Sequence, residues 1–391
     1  MRFAFLHHGD PFSESLWSGI PLNIARTLCE LGHEVAPVGN LQPQGPLTAR
    51  ARTAFYRYLL KRSYLMNRDP SVVRLRARDG NRRLKEVGPV DAVLVTYLAN
   101  AAYVETEYPV VVIHDATWAQ VLDYYAGYER TTLAAETVRG GMELEKKALD
   151  RCDHALYCSH WAASSAVQDF GIPLEKVSVA PLGASLVEGP TRADLAAYLQ
   201  QRGQGPMKLF FVGKEWYRKG GDVAVQVAVE IERQGVPVEL HVAGCEPEGE
   251  VPSFVRRHGM LRKDIPQQAE QLWKLFETSD FFILPTRAEA FGIVFAESAA
   301  YGLPVMASDT GGVREAVRGE WGITPPLGAP ATIYATWATN LFRNRAEYER
   351  LSWLARTSYE NDLNWPAFCC HLVQVVATKT DSKQLTAELR S

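Results

Sequence analysis

Two glutamates, Glu289 and Glu297, bracket the stretch EAFGIVFAE, whose interior is dominated by Phe291, Ile293, Val294, Phe295 and Ala296. Carboxylates only accept hydrogen bonds, which suits them to the hydroxyl pairs of sugars. The preceding FFIL reads as a strand ending at Leu284, so Glu289 falls on a loop, and a helix begins near Gly292 with Glu297 inside it. The rises of loop and helix then separate the carboxylates by roughly 10–15 Å. That is close to the span of a nucleotide sugar from hexose to ribose. A helix N-terminus between them offers the backbone N–H groups of Phe291, Gly292 and Ile293 to an anionic diphosphate. Taken singly, either glutamate reads as a helix cap or part of a solvated face.

Further groups of this chemistry also follow strands. FVGKEWYRKGGD, from Phe211 to Asp222, presents Lys214, Arg218 and Lys219 ahead of Gly220, Gly221 and a new helix, a suitable clamp for a diphosphate. SGIPLNIARTLCELGHEV opens a helix at Gly19, where bare backbone N–H groups can approach a phosphate, although any α/β domain needs glycine at tight turns. No G-x-G-x-x-G appears there, which removes the dehydrogenase fingerprint. His114 follows the strand PVVVI, a place where a lone histidine is more often structural. CDHALYCSH gathers Cys152, His154, Cys158 and His160 like a zinc set, but placed on one strand their even numbers would line them along one face, unable to surround a metal.

Positioning these groups requires parallel sheets. RFAFL, HEVAPV, DAVLVT, PVVVI, HALYC and VSVA in the first half are buried-strand runs separated by helical segments. After a polar, glycine- and proline-bearing linker within Leu186 to Met207, the pattern restarts with KLFFVG, VELHVAG, DFFILP and PVMAS. Two doubly wound α/β domains in tandem result, with ligands expected at the carboxyl ends of their strands. The boundaries read as 1–186, 187–363 and a last helical segment, 364–380. A chain of 391 residues agrees with two domains.

A net charge of −3 gives no chain-wide basic field, against a protein devoted to nucleic acid. Twelve Lys or Arg nonetheless crowd between Arg50 and Glu86 against three acids, mixed with Phe55, Tyr56, Tyr58, Leu59, Leu60, Tyr64 and Leu65. Such a stretch suits anionic lipid, a phosphate-bearing acceptor, or plain solvent. Trp118, Tyr124, Tyr125 and Tyr128 could stack on an acceptor sugar or serve as core. No apolar run is long enough to span a membrane, and the start MRFAFLHHGD reads as a first strand. Six scattered cysteines suit a reducing cytoplasm, with a peripheral place on the inner membrane face open to the basic stretch.

The ordered series SGIPLNIARTLCELGHEV, VVVIHDATW, ALYCSHWAASSAVQDFGIPLEKVSVAPLGAS, FVGKEWYRKGGD, GMLRKD, EAFGIVFAE, DTGGVREAV and NDLNWPAFCCHLVQVV resembles the GT-B glycosyltransferases of the large retaining family 4 over most of the chain. The resemblance implies two Rossmann-like doubly wound domains facing across a cleft, the last helix returning to the N-terminal, acceptor-side domain. It implies that Glu289 contacts the donor sugar, Glu297 the ribose, Arg218 and Lys219 the diphosphate, and the Gly19 backbone the distal phosphate. Thr310, Gly311 and Gly312 would lie near the donor pocket, and Gly259, Met260 and Leu261 near the base. His114 would hold the donor sugar or polarise the acceptor while the leaving phosphate takes the acceptor's proton. Two departures stand out: Ala290-Phe291-Gly292 replaces a common Gly-Phe-Gly, and Gly213-Lys214 replaces Gly-Arg.

The implied activity is retaining transfer of a hexose from a UDP- or GDP-sugar to a glycan or lipid-linked acceptor in cell-surface polysaccharide or glycoconjugate biosynthesis. The sequence has no D-x-D pair, so no metal or other cofactor is expected. Two alternatives share the motifs: a nucleotide-sugar 2-epimerase of the same fold, and a non-catalytic sugar-nucleotide-binding module.

Overall fold

The computed structural model of the chain describes residues 1–391 apart from 14–15, 42–44, 187 and 389–391, and the backbone alone for 381–388. The chain divides into one unit of Met1–Pro181 with Trp365–Ser391 and a second of Leu182–Asn364. The second unit is therefore an insertion in the first. Its two ends lie side by side, the Ala184 N–H donating to the Leu363 carbonyl at 3.0 Å.

The first unit is built on β1 (Arg2–Leu6), β2 (Glu34–Val38), β3 (Ala92–Val95), β4 (Val110–His114), β5 (His154–Tyr157) and β6 (Val177–Val179), all parallel, in the order β2-β1-β3-β4-β5-β6. β3 and β5 are buried at every residue, β1 and β4 at all but one, as continuous apolar runs demand when a sheet is covered on both faces. β2 and β6 are edges, and most of their residues stay partly exposed. The helix Trp365–Glu388 packs on the helix Ile20–Glu30. There Cys369 Sγ approaches the Ile24 carbonyl at 3.7 Å, and His371 Nε2 lies 3.1 Å from Ser178 Oγ.

The second unit repeats the architecture with β7 (Met207–Val212), β8 (Val238–Ala243), β9 (Val255–Arg257), β10 (Phe281–Leu284), β11 (Val305–Ala307) and β12 (Gly322–Ile323), again parallel, in the order β12-β11-β10-β7-β8-β9. In each sheet the chain builds outward in one direction and then returns to build in the other. The reversal falls between β1 and β3 in the first sheet and between β7 and β10 in the second. Crevices at the carboxyl ends of such strand pairs receive ligands in open α/β sheets.

Two sequence expectations change. The strand in CDHALYCSH covers only His154–Tyr157: Cys152 ends the helix Ala135–Arg151 and His160 opens the helix His160–Gln168. The single-face argument against a metal therefore fails, because the run is too short to carry all four residues. Among the described residues no group of three or more His, Cys, Asp or Glu could hold a metal ion. The basic stretch is likewise not one surface. Arg68 and Arg76 are each only 9% exposed and Tyr64 is buried, whereas Arg57, Tyr58, Leu59, Leu60, Lys61 and Arg62 are exposed.

Candidate functional site

Because β7 and β10 are hydrogen-bonded neighbours, with Phe281 opposite Leu209 and Phe282 opposite Phe210, the loops that leave them meet. Gly220, at φ 77, is packed so closely that a Cβ would come 2.1 Å from the Pro285 carbonyl oxygen. Gly221 lies as tightly on the Trp216 ring, which is 7% exposed. These two glycines let the helix Gly221–Arg233 start directly beneath the β10 loop. The contact brings Lys219 Nζ onto Glu289 Oε2, an ion pair whose side chains are 14% and 13% exposed. Arg218 reaches the same loop, donating from Nη1 to the Ala288 carbonyl at 2.9 Å and from Nη2 to Glu215 Oε1 at 2.6 Å. Lys214 is exposed.

The Glu289 loop is held from further sides. Arg287 grips both oxygens of Asp222 at 2.8 and 2.7 Å, and its backbone N–H donates to the Arg218 carbonyl at 2.7 Å. This contact holds the Asp222 carboxyl below its ordinary range. Thr310 Oγ1 donates to the Arg287 carbonyl at 3.3 Å, and the Gly312 N–H to the Ala290 carbonyl at 3.1 Å. Gly311, at φ 55, makes the turn between them. A loop tied in this way presents its carboxylate in a fixed place.

The helix Ile293–Ala300 begins where the sequence placed it, with Gly292 at φ 85 as its N-cap and no side chain capping it. A Cβ there would strike Phe295 at 2.6 Å, so glycine is required at the turn. Phe291 and Phe295 are buried, seating the helix in the core. Glu297, 3% exposed, is ion-paired through Oε1 with Lys263 Nζ, which also lies 5.0 Å from the Trp273 ring centroid. Just before Lys263 in sequence, the Gly259 carbonyl accepts from the Gly244 N–H at 2.8 Å, Met260 is 53% exposed and Leu261 partly buried.

In the first unit Gly19 is preceded by two other residues in left-handed conformation: Trp17 at φ 45, Ser18 at φ 56 and Gly19 at φ 78. Such strain in non-glycine residues persists only where surroundings impose it, and it concentrates at functional sites. Here Trp17 is fixed by its indole N–H, 2.9 Å from Asp115 Oδ2, and by its ring, 5.3 Å from that of His114. His114 ends β4 with Nδ1 3.2 Å from Asp115 Oδ1. Burial alone would raise the Asp115 carboxyl; the contacts with His114 and Trp17 outweigh it and hold that carboxyl below its usual value. Trp118 is core, 1% exposed, while Tyr128 is 37% exposed.

Residues 206–340 match the sequence family described as Glycosyl transferases group 1. The chain resembles the group 1 glycosyltransferases over this stretch. It is 27% identical over 244 residues to a glycogen synthase of Mycobacterium tuberculosis, covering 60% of this chain and 55% of that one. The chain thus spans about half the length of the curated relatives it matches. Its structure aligns with sucrose-phosphate synthase from Thermosynechococcus elongatus at a TM-score of 0.67 and 17% identity, over 99% of both chains. It also aligns with Anabaena HepE solved with UDP, at 0.63 and 15%, over 97% of this chain and 100% of that one. These likenesses show that the fold is GT-B.

The structure of the second unit brings Arg218, Lys219, Glu289, Thr310 and Gly312 into one connected set. Sequence reasoning had not singled out Arg287, Asp222 or Lys263. Lys263 stood within GMLRKD, but nothing in its spacing links it to Glu297, 34 residues away. Trp17 and Asp115 flank Gly19 and His114 in sequence, and proximity to those two residues was the available signal.

Proposed function

We propose that the chain is a retaining, metal-independent hexosyltransferase that moves a hexose from a UDP- or GDP-sugar to a glycan or lipid-linked acceptor, in the making of cell-surface polysaccharide or glycoconjugate. The observation that carries this reading is the meeting of Lys219 with Glu289. A cation suited to the donor's diphosphate and a carboxylate suited to sugar hydroxyls lie side by side at the β7/β10 reversal. That is the order in which a nucleotide sugar presents phosphate and hexose. The UDP seen with HepE agrees with it.

In this reading the diphosphate is held by Arg218, Lys219 and the uncapped N-terminus of Ile293–Ala300, with Phe291, Gly292 and Ile293 giving backbone N–H groups. Glu297 takes the ribose hydroxyls, and the backbone near Gly259 to Leu261 the base. The Gly19 turn serves the distal phosphate. Glu289 contacts the donor sugar, His114 holds that sugar or polarises the acceptor, and the leaving phosphate accepts the acceptor's proton. Lys219 must exchange Glu289 for phosphate when donor binds.

The test is incubation with a panel of nucleotide sugars, following nucleotide release with and without EDTA. Release from one donor class, unchanged by EDTA and abolished by Glu289→Ala, is expected. Neither release nor binding with any donor would sink the reading. Epimerisation of the donor without an acceptor would replace it with the epimerase.

Among the described residues no helix is long and apolar enough to cross a membrane. A peripheral contact is supported by Leu47, Phe55, Tyr58, Leu59 and Leu60, which are 80%, 48%, 66%, 72% and 48% exposed beside the exposed cations Arg57, Lys61 and Arg62. Apolar side chains interleaved with cations suit an anionic leaflet.

A further inference from the structure

At the reversal of the first sheet, between the ends of β1 and β3, lies a group of buried polar side chains that the proposed donor chemistry does not use. Arg76, on the helix Pro70–Val87, is 9% exposed, and its Nε and Nη1 have no hydrogen-bond partner. No carboxylate of the described residues pairs with it; Asp79, one turn on, is taken by Arg82 and Arg83. The neighbouring buried arginine, Arg68, is compensated: Glu145 lies 3.7 Å from it, and Trp118 lies under its guanidinium at 4.1 Å.

Around Arg76 the same deficit recurs. His8, after β1, has an unpartnered Nδ1 and packs its ring 4.7 Å from that of Tyr97, whose hydroxyl is unpartnered as well. Both amide atoms of Asn100 have no partner, at 3% exposure. Asn100 sits on the short helix Leu98–Ala101, which packs on the helix carrying Arg76. The positive charge is felt locally: burial, and then Arg76, push the His8 imidazole down to about 4.

Each buried polar group without a partner is destabilising, and a buried guanidinium without an anion strongly so. Four of them at a strand-order reversal have one common remedy, an anion rich in acceptor oxygens that also accepts hydroxyl and amide hydrogens.

We propose that Arg76, with His8, Tyr97 and Asn100, forms a binding site for an oxyanion, a phosphate monoester or a carboxylate, carried by the acceptor of the transfer reaction. Assigning the anion to the acceptor rests on the transferase reading above. The existence of the anion site does not.

The test uses the full chain saturated with UDP, so that the donor cations are occupied. Inorganic phosphate, glucose 6-phosphate, glucuronate and glucose are titrated by thermal shift and calorimetry. Phosphate and glucose 6-phosphate are expected to stabilise and glucose not to; glucuronate decides between phosphate and carboxylate. Arg76→Gln is expected to weaken the anion response at least tenfold with UDP affinity unchanged. Arg76→Met is expected to raise the melting temperature of the unliganded chain by a few degrees, the opposite of what removing a structural arginine does. Should Arg76 variants fail to fold, Tyr97→Phe, which deletes one unpartnered hydroxyl, is expected to weaken glucose 6-phosphate severalfold.

Equal responses to anionic and neutral sugars, or an anion response untouched by these variants, would overturn the site. A tenfold loss of UDP affinity in Arg76→Gln would give it to the donor and overturn its assignment to the acceptor. If UDP itself does not bind the wild-type chain, the transferase reading falls, while titration of the nucleotide-free chain still decides the anion site.

Discussion

Replacing Glu289 with Gln is expected to tighten UDP binding while it abolishes sugar transfer. The Lys219 ammonium is held by Glu289, with side chains 14% and 13% exposed. Exposed ion pairs contribute about 0–1 kcal/mol, and breaking a fully buried one costs about 3–5. A pair this shielded but still touched by solvent falls near 1–2 kcal/mol, and the diphosphate must displace that carboxylate to reach Lys219. Glu289→Gln removes both the competitor and a negative charge beside the phosphates, so UDP is expected to bind about five- to thirtyfold tighter. UDP-glucose is expected to gain less, because the lost carboxylate also served its hydroxyls. Lys219→Met removes the charge-assisted contact and is expected to weaken UDP by about ten- to a hundredfold. In the double variant the benefit of Glu289→Gln should largely vanish, since no lysine remains to be released. Isothermal titration with UDP and UDP-glucose on the four proteins measures the cycle. UDP affinity unchanged or weakened in Glu289→Gln would show that Lys219 and Glu289 do not exchange partners on donor binding.

Gly220→Ala places a Cβ 2.1 Å from the Pro285 carbonyl in a left-handed backbone, which is expected to cost at least about 3 kcal/mol and lower the second unit's melting temperature by roughly 6–12 °C. Gly235→Ala, at φ 78 with nothing within 4 Å, is the control and is expected to cost about 1 kcal/mol by calorimetry. Acid is expected to destabilise the fold between pH 6.5 and about 4. His7 is held near 3, and His8, His154 and His241 near 4, chiefly by burial, so the unfolded chain binds more protons across that window. Each contributes stability that is whole above 6.5 and lost on the order of 3 kcal/mol by pH 4, and His154→Asn should flatten that limb in urea titrations. Vesicles with anionic lipid are expected to co-sediment the chain, with neutral vesicles failing to do so and Leu59→Glu weakening the association severalfold; equal sedimentation on both would refute the contact.

The central strands were legible because burial on both faces leaves an unbroken apolar run: RFAFL is β1, and FFIL is β10. β9 and β12 were not, since VRR leaves two arginines exposed and Gly322–Ile323 is a two-residue edge. Lys219 and Glu289 could each be named as ligand groups from their positions after strands. That they touch depends on β7 and β10 being neighbours, a pairing across 70 residues that local pattern does not encode. Arg76 was hidden by company: among twelve basic residues between Arg50 and Glu86, nothing local distinguishes the one folded inward without a partner. The left-handed turn at Trp17 and Ser18 was equally silent, because tertiary contacts rather than residue type impose it.

The Ala184 to Leu363 hydrogen bond has a bearing on assembly order. Joining Pro181 to Trp365 through a disordered insertion would carry the loop-closure entropy of a very long loop, growing with the logarithm of its length. Once the inserted unit has folded, its closed ends reduce that loop to a few residues. The helix Trp365–Glu388 is then delivered next to the surface of Ile20–Glu30 that awaits it. Maturation of the discontinuous first unit is thus expected to follow that of the inserted one, and lesions in the insertion, such as Gly220→Ala, are expected to delay protection of Ile24 amide hydrogens in pulse-labelled refolding.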